Sequence, residues 1–425
     1  MRPALCLAPL AALAALAAML AAAGPAPAGG GPAPPPPAGM QALRSDDAVH
    51  LPPALPPPLF GVPARDPVFG TTVTRVTDPG QGASTKFIRH YYAKSDPFNA
   101  DASLAVMHGS DGSVHLYDAA QWRPVQELKF RIGEPETHWH PSDPGLLYHL
   151  DSLPDRPAGR GLYRYDVRRQ QDRLLHAFDD HDRVSGLLEG NLDAQGRYLA
   201  LVGEKAGRRE AFVYDLREDR ITARLPVSEA MVADWISVSP SGRFVVMMGK
   251  DRSRVFDIGL KLLRELPPGS FGHGDLCRLA DGEEALVYDG ADRQLDHNRN
   301  INLAMLASGA ERRLLRIGWK STPHVSCRNL DMPGWALVST QGPDPKYPVF
   351  DFEVLWLKLD GSGEVRRLAH HHSRRDKGGY FAEQHAVSDR SGERILFASN
   401  WDGTAAIADY LLQWRAPARE KARTP

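Results

Sequence analysis

Three cysteines among 425 residues are too few for a disulfide-stapled scaffold, so packing and backbone pairing must hold the chain together. That leaves room for one disulfide or one small metal site. Charge of one sign is also missing, because 51 Lys and Arg face 52 Asp and Glu. The balance excludes the broad basic field of a dedicated nucleic-acid binder and the polycationic tail of a membrane-surface protein. Sustained helical periodicity is nearly absent beyond the N-terminus, and no G-x-S-x-G motif occurs, which sets aside a serine hydrolase with a nucleophile elbow.

The long apolar run from Pro3 to Ala23 follows Arg2, is interrupted by Pro9 and ends in small residues. It reads as a signal peptide over 1–23 rather than a membrane anchor, and Cys6 leaves with it. Residues 24–59, with GPAPAGGGPAPPPPAG and LPPALPPPL, read as an extended Pro/Gly-rich linker. The folded domain is expected over 60–415, followed by a flexible tail over 416–425. The mature protein is expected to be secreted or periplasmic, monomeric and without a membrane span.

Short apolar runs separated by turn residues point to an all-β chain, and two markers recur along it. An aromatic followed by Asp closes a strand at Tyr117-Asp118, Tyr165-Asp166, Tyr214-Asp215 and Phe256-Asp257. A tight turn ends at Gly145, Gly196, Gly242, Gly282, Gly334 and Gly392, and FNADAS opens an earlier copy. Units of roughly 40 to 58 residues repeated about seven times predict a seven-bladed β-propeller. TTVTRVTD (71–78) precedes the first unit and is expected to complete the last blade, closing the ring.

In a propeller the strand before each such turn lines the central channel, and alternate residues share its face. Counting back seven residues from each glycine gives His138, Glu189, Trp235, Asp275, Cys327 and His385. Five back stand His140, Asn191, Ser237, Cys277, Asn329 and Val387; nine back stand Glu136, Leu187, Ala233, His273, Val325 and Glu383. A face that was merely core would be aliphatic. This one is rich in His, Cys, Asn and carboxylates, as a polar site requires. His273, Cys277, Cys327 and His385 form a candidate Cys₂His₂ zinc set, with His324 and Asp275 as substitutes or supports; manganese and calcium are the alternatives. A Cys277–Cys327 disulfide and unligated channel residues are the competing readings.

The TRVTD strand, YYAKSDPFNAD, THWHPSDPGLLYHL, GHGD, HVSC and FASNWDG together resemble the seven-bladed propeller polysaccharide lyases, namely oligogalacturonate lyases and propeller-type ulvan lyases. The similarity runs over nearly the whole chain from about residue 65. It implies cleavage of an acidic oligo- or polysaccharide and a divalent metal, held in the oligogalacturonate lyases by histidines and a glutamine to which His324, Gln384 and His385 correspond. In the ulvan-lyase relatives a structural zinc has Cys and His ligands, which Cys277 and Cys327 match.

Eliminative cleavage removes the proton at C5 of a uronate and expels the oxygen at C4, so it needs a cation for the carboxylate, a base and an acid. Arg89, Lys94 or the metal are candidates for the carboxylate, His138 and His140 for the base with His90 third, and Tyr91 or Tyr92 for the acid. His90, Lys94, Glu189 and Asn191 are placed as substrate-binding. A Glu136/Glu189 pair of the glycoside-hydrolase kind is less attractive, since imidazole outnumbers carboxylate in the ring. The competing function is a non-catalytic envelope scaffold that binds a protein or glycan. The loop KYPVFDFEV (346–354) and the basic stretch HHHSRRDK (370–377) are candidates for contact with an acidic glycan, with a solvated loop the commoner reading of each.

Overall fold

The computed structural model describes residues 45–79, 86–128, 136–151, 160–270, 272–291 and 299–414. The expected signal peptide, most of the linker and the C-terminal tail lie outside them. Among the described residues the strands form five separate four-stranded antiparallel sheets and one nine-stranded sheet. Each four-stranded sheet is a simple meander, as in Ile236–Val238, Phe244–Met248, Ser253–Asp257 and Leu262–Glu265. The chain is a β-propeller.

The nine-stranded sheet shows how the ring closes. Thr72–Arg75 pairs antiparallel with Ile407–Gln413, matching Val73 to Leu412 and Thr74 to Leu411. The N-terminal strand therefore completes the last blade, as TTVTRVTD predicts. Ile407–Gln413 also meets Phe87–Arg89, the first strand of the first blade, through one short parallel contact. The strands at the two ends of the chain are thereby joined in one sheet.

The repeated markers have local causes. Gly196, Gly242, Gly282, Gly334 and Gly392 all adopt φ between +66° and +86°, a region where a Cβ is strained. The recurrent Asp caps the turn before the outermost strand: Asp118 Oδ1 accepts from the backbone N–H of Ala120 and Gln121, and Asp215 Oδ1 from Arg217 and Glu218. Outermost strands alternate exposed and half-buried residues, as in Arg220–Val227, while inner ones are buried. The core fills the seams between neighbouring sheets. Trp235, Val246, Met248 and Val255 of one sheet pack on Leu276, Leu286, Tyr288 and Ala304 of the next.

Residues 45–59, expected as free linker, run without regular structure against the outside of the last blades. Arg367, fully buried, donates from Nη1 to Asp46 Oδ1 (2.9 Å) and to the carbonyl of Ala48 (2.6 Å), and from Nε to Glu353 Oε2 (2.7 Å). His370 Nε2 donates to the His50 carbonyl, and Trp401 Nε1 to that of Leu55. His370, His371 and His372 are all buried, so HHHSRRDK is a solvated loop only from Arg374 onward. Removing the Arg367 charge would leave Glu353 buried and alone. Arg367→Met is expected to cost about 3–5 kcal/mol in denaturant unfolding and to expose the 45–59 segment to proteolysis.

Candidate functional site

Three inner-strand regions meet at one end of the channel. His273 precedes Gly274–Arg278, His324 sits within Pro323–Ser326, and Glu383, Gln384 and His385 lie just before Val387–Ser388. The 381–385 stretch is tied to the first blade by Arg89, which donates to the carbonyls of Phe381 (2.6 Å), Glu383 (3.2 Å) and Tyr91 (3.1 Å) and also contacts His385 Nδ1. The carbonyl of His385 accepts from His90 Nε2 at 2.7 Å. Ser339 anchors the other side, accepting at its carbonyl from Gln384 Nε2 (3.0 Å) and at Oγ from the Ala386 N–H (3.2 Å). These ties hold His385 at φ +40°, a strained conformation for a residue with a side chain.

His324, Glu383 and His385 are buried, and one ligand atom from each falls within 4.8 Å of the others. Glu383 Oε2 stands 3.3 Å from His324 Nε2 and 3.4 Å from His385 Nε2. Neither Nε2 has an aligned hydrogen-bond partner, and nor does the buried Gln384 Oε1. Such orphans are rare in native interiors and call for a ligand. Two imidazoles and a carboxylate suit a divalent cation, so the residues fit a metal. His273 stacks on His324 with ring centres 4.4 Å apart, and its Nδ1 donates to the Pro323 carbonyl at 3.0 Å, leaving a lone pair at Nε2. Arg89 can only donate, so a neutral His385 accepts at Nδ1 and carries its proton on Nε2. A metal at Nε2 would need the neutral ring's proton moved to Nδ1, and so a shift of the Arg89 guanidinium away from that nitrogen.

Burial pushes His324 and His385 well below the usual imidazole range and Glu383 upward. Uncompensated, this cluster is costly, which is the expected state of a site built for a cation. Tyr92 stands against both imidazoles, 4.5 Å from His385 and 5.5 Å from His324 between ring centres. Burial raises its phenol well above 10, so it keeps its proton at neutral pH.

The other residues singled out from the sequence separate into distinct places. Cys277 and Cys327 form a disulfide with Cα atoms 5.1 Å apart, which removes both from the Cys₂His₂ zinc set. Zinc was favoured on those thiolates, and that support is gone. His138, Asn191 and Asp96 line a small separate pocket of about 60 Å³, together with His140. His140 Nδ1 accepts from the backbone N–H of Ser142 and Asp143, so it caps its own turn and is not free to act as a base. His138, pushed down to about 4 by burial and by Arg328, is a poor base and lines a pocket that none of the cluster residues share. Both ring nitrogens of His90 face protein acceptors, Asp409 and the His385 carbonyl, so neither is turned toward a substrate. Lys94 is paired with Glu189 and covered by Trp235 at 4.8 Å, so neither charge is free for a substrate. Glu189 and Asn191 miss the inner strand altogether, since Arg183–Ser185 ends earlier and Leu187 and Leu188 turn the chain at φ +60° and +73°. Tyr91 lies edge-on to His108 beside a cavity on the first blade.

Glu136 is buried, with Oε1 accepting from the Leu188 N–H at 2.9 Å, and burial raises it to about 7. Between its unfolded value near 4.5 and 7 the folded chain holds a proton that the unfolded chain has released. Its contribution is therefore present below pH 4.5 and is lost as pH rises through 7. Relative to Glu136→Gln, the wild type is expected to lose about 3 kcal/mol of unfolding free energy across that window, measured by denaturant titration at several pH values.

Two cavities flank the cluster. One of about 510 Å³ is lined by Lys320, Arg375, Glu383 and Gln384, and one of about 620 Å³ by Phe87, Tyr91, His108, Tyr380 and Phe381. Glu383 appears in the channel ring read from the sequence without a metal role, and only the fold shows that it bridges two imidazoles. Arg375, Tyr380 and Phe381 carry no repeat signal and lie on short helical turns, Arg375–Gly378 and Tyr380–Ala382.

Fold and site together define a β-propeller with a buried His/Glu cluster whose Glu383 lines one open hollow. Among solved structures, an oligogalacturonate lyase in complex with manganese is similar at a TM-score of 0.61 and 16% identity, covering 84% of this chain and 96% of that one. An oligogalacturonate lyase from Vibrio parahaemolyticus reaches 0.58 at 13% identity, over 83% and 96%. At these identities the likeness establishes the fold. No family profile and no curated protein sequence matches the chain. No helix among the described residues is long and apolar enough to cross a membrane.

Proposed function

We propose that this protein is a polysaccharide lyase that cleaves a uronate-containing glycan by β-elimination at the His324–Glu383–His385 cluster. The observation that carries the reading is the meeting of unpartnered buried ligand atoms from two imidazoles and a glutamine beside a carboxylate, at the edge of open cavities. His324, Glu383 and His385 would hold a divalent ion, with Gln384 Oε1 beside them. Manganese is the first choice, since the similar lyase is a manganese complex and the cysteine ligands are lost to the disulfide. When bound, the ion draws electron density from the substrate carboxylate and so acidifies C5.

The chain's own groups supply the proton transfers. His273 Nε2, with its lone pair free, takes the C5 proton; the C4–O bond breaks as the C4–C5 double bond forms. The Tyr92 hydroxyl returns a proton to the departing oxygen. Arg89 positions the 381–385 stretch. Because its guanidinium is spent on carbonyls and on His385, it does not also receive the substrate carboxylate. The disulfide and the apolar run before residue 24 support an extracytoplasmic location.

The purified protein, supplied with Mn²⁺ and a panel of uronate polymers, is expected to release products with the ultraviolet absorbance of an unsaturated uronate. A flat trace on every uronate polymer with metal restored would overturn the reading and favour a scaffold.

A further inference from the structure

Three parts of the chain, far apart in sequence, meet at the His385 backbone. Ile407–Gln413 brings Asp409, the strand Phe87–Arg89 ends at His90, and the segment after Thr72–Arg75 brings Val76 and Thr77. Around them the seam is apolar, with Val76, Ile88, Val387, Leu396 and Leu411 in one buried cluster. Asp409 is fully buried in that seam, where a carboxylate is expensive unless it is held.

All three parts hold it. Its Oδ2 accepts from the backbone N–H of His90 at 2.6 Å, and both oxygens lie 2.9 Å from His90 Nδ1. The Asp409 N–H donates to Thr77 Oγ1 at 2.8 Å, the Thr77 hydroxyl donates to the Ile88 carbonyl at 2.6 Å, and the Asp409 carbonyl accepts from the Val76 N–H at 2.9 Å. The imidazole of His90, also fully buried, spans from this junction to the His385 carbonyl, 2.7 Å from Nε2. Asp409 lies on the strand that closes the ring by pairing with Thr72–Arg75. Ring closure and the strained φ of His385 are therefore linked through one side chain. A buried ring fixed at both nitrogens has a single orientation, so it transmits position instead of absorbing it.

We infer that His90 and Asp409 are positioning residues for the cation site, and that they make its affinity depend on closure of the propeller. This rests on the cation site of the lyase reading. Neither side chain is among the candidate ligands. The pair sets the His385 backbone, and with it the direction of the imidazole toward Glu383 Oε2, 3.4 Å away. Outer partners of this kind change metal affinity by about 10–100-fold. By linkage, an ion bound at the cluster must in turn hold the closing strands together.

His90→Asn and His90→Gln separate the two ends of the ring. Asparagine places an amide N–H near the Nδ1 position, keeping Asp409 and losing the carbonyl; glutamine places one near the Nε2 position, keeping the carbonyl. The backbone N–H at position 90 stays with Asp409 in both. Calorimetric titration of the purified protein with Mn²⁺ is expected to show His90→Asn binding about tenfold or more weaker than wild type, and His90→Gln within about threefold of it. Amide exchange in Thr72–Arg75 and Ile407–Gln413 should slow about tenfold in wild type on saturation with Mn²⁺, beyond any change in Arg220–Val227 of a separate sheet. Equal losses in the two variants, no loss in either, or protection no greater in the closing strands than in Arg220–Val227 would overturn the inference while Mn²⁺ binding by wild type leaves the lyase reading standing. A wild type that binds no Mn²⁺ would overturn both.

Discussion

Glu383→Gln is expected to abolish divalent-metal binding and to lower the rate of uronate elimination by about 10³-fold, with the fold intact. The carboxylate is the only anion in the cluster, its Oε2 lying 3.3 and 3.4 Å from the two imidazoles. Without it, two neutral rings and two amides would have to hold a dication in a buried site, where an uncompensated charge is expensive. The loss of several kcal/mol of electrostatic assistance corresponds to about three decades in rate. Stability should move the other way or stay level. Burial raises the Glu383 carboxyl, so the metal-free wild type carries a desolvation cost that glutamine removes. Metal analysis, product absorbance and thermal unfolding of the same preparation separate these effects. A variant that bound metal normally while losing activity would show that Glu383 acts on the substrate and not as a ligand.

The second large effect concerns the disulfide. Replacing Cys277 and Cys327 together with alanine is expected to cost up to about 4 kcal/mol of unfolding free energy, the loop-entropy value for a sequence separation of 50. The bond ties the inner strand of one sheet to the chain just after the inner strand of the next, a seam otherwise held by apolar packing that includes Val287, Val325 and Leu355. Metal content and kcat should be unchanged, because neither sulfur faces the cluster. Reductant should reproduce the stability loss in the wild type. Loss of metal on cysteine replacement would instead restore the Cys₂His₂ reading.

The fold was more legible than the site because its markers are local. A glycine at φ near +75° recurs in five of the units and an Asp capping a turn in several, and the closing strand is visible as an unpaired β run before the first unit. The site depends on register, which is less faithfully written. Counting back from the glycines placed His385 correctly near its inner strand, with His273 nearby. It failed for Glu189 and Asn191, where the left-handed Leu187 and Leu188 insert a turn that the period does not show. For Cys277 and Cys327 adjacency was legible and chemistry was not, since the same spacing serves a shared metal or a bond. Only the 5.1 Å approach of the two backbones decides. His140 illustrates a further limit: a ring nitrogen that caps its own turn looks like a free base until the backbone N–H groups beneath it are seen.

The most direct test is the metal content of three proteins measured side by side after dialysis against Mn²⁺. Wild type and the double cysteine variant should each retain one divalent ion per chain, and Glu383→Gln none. No ion in the wild type, or an ion kept by Glu383→Gln and lost with the cysteines, would contradict it.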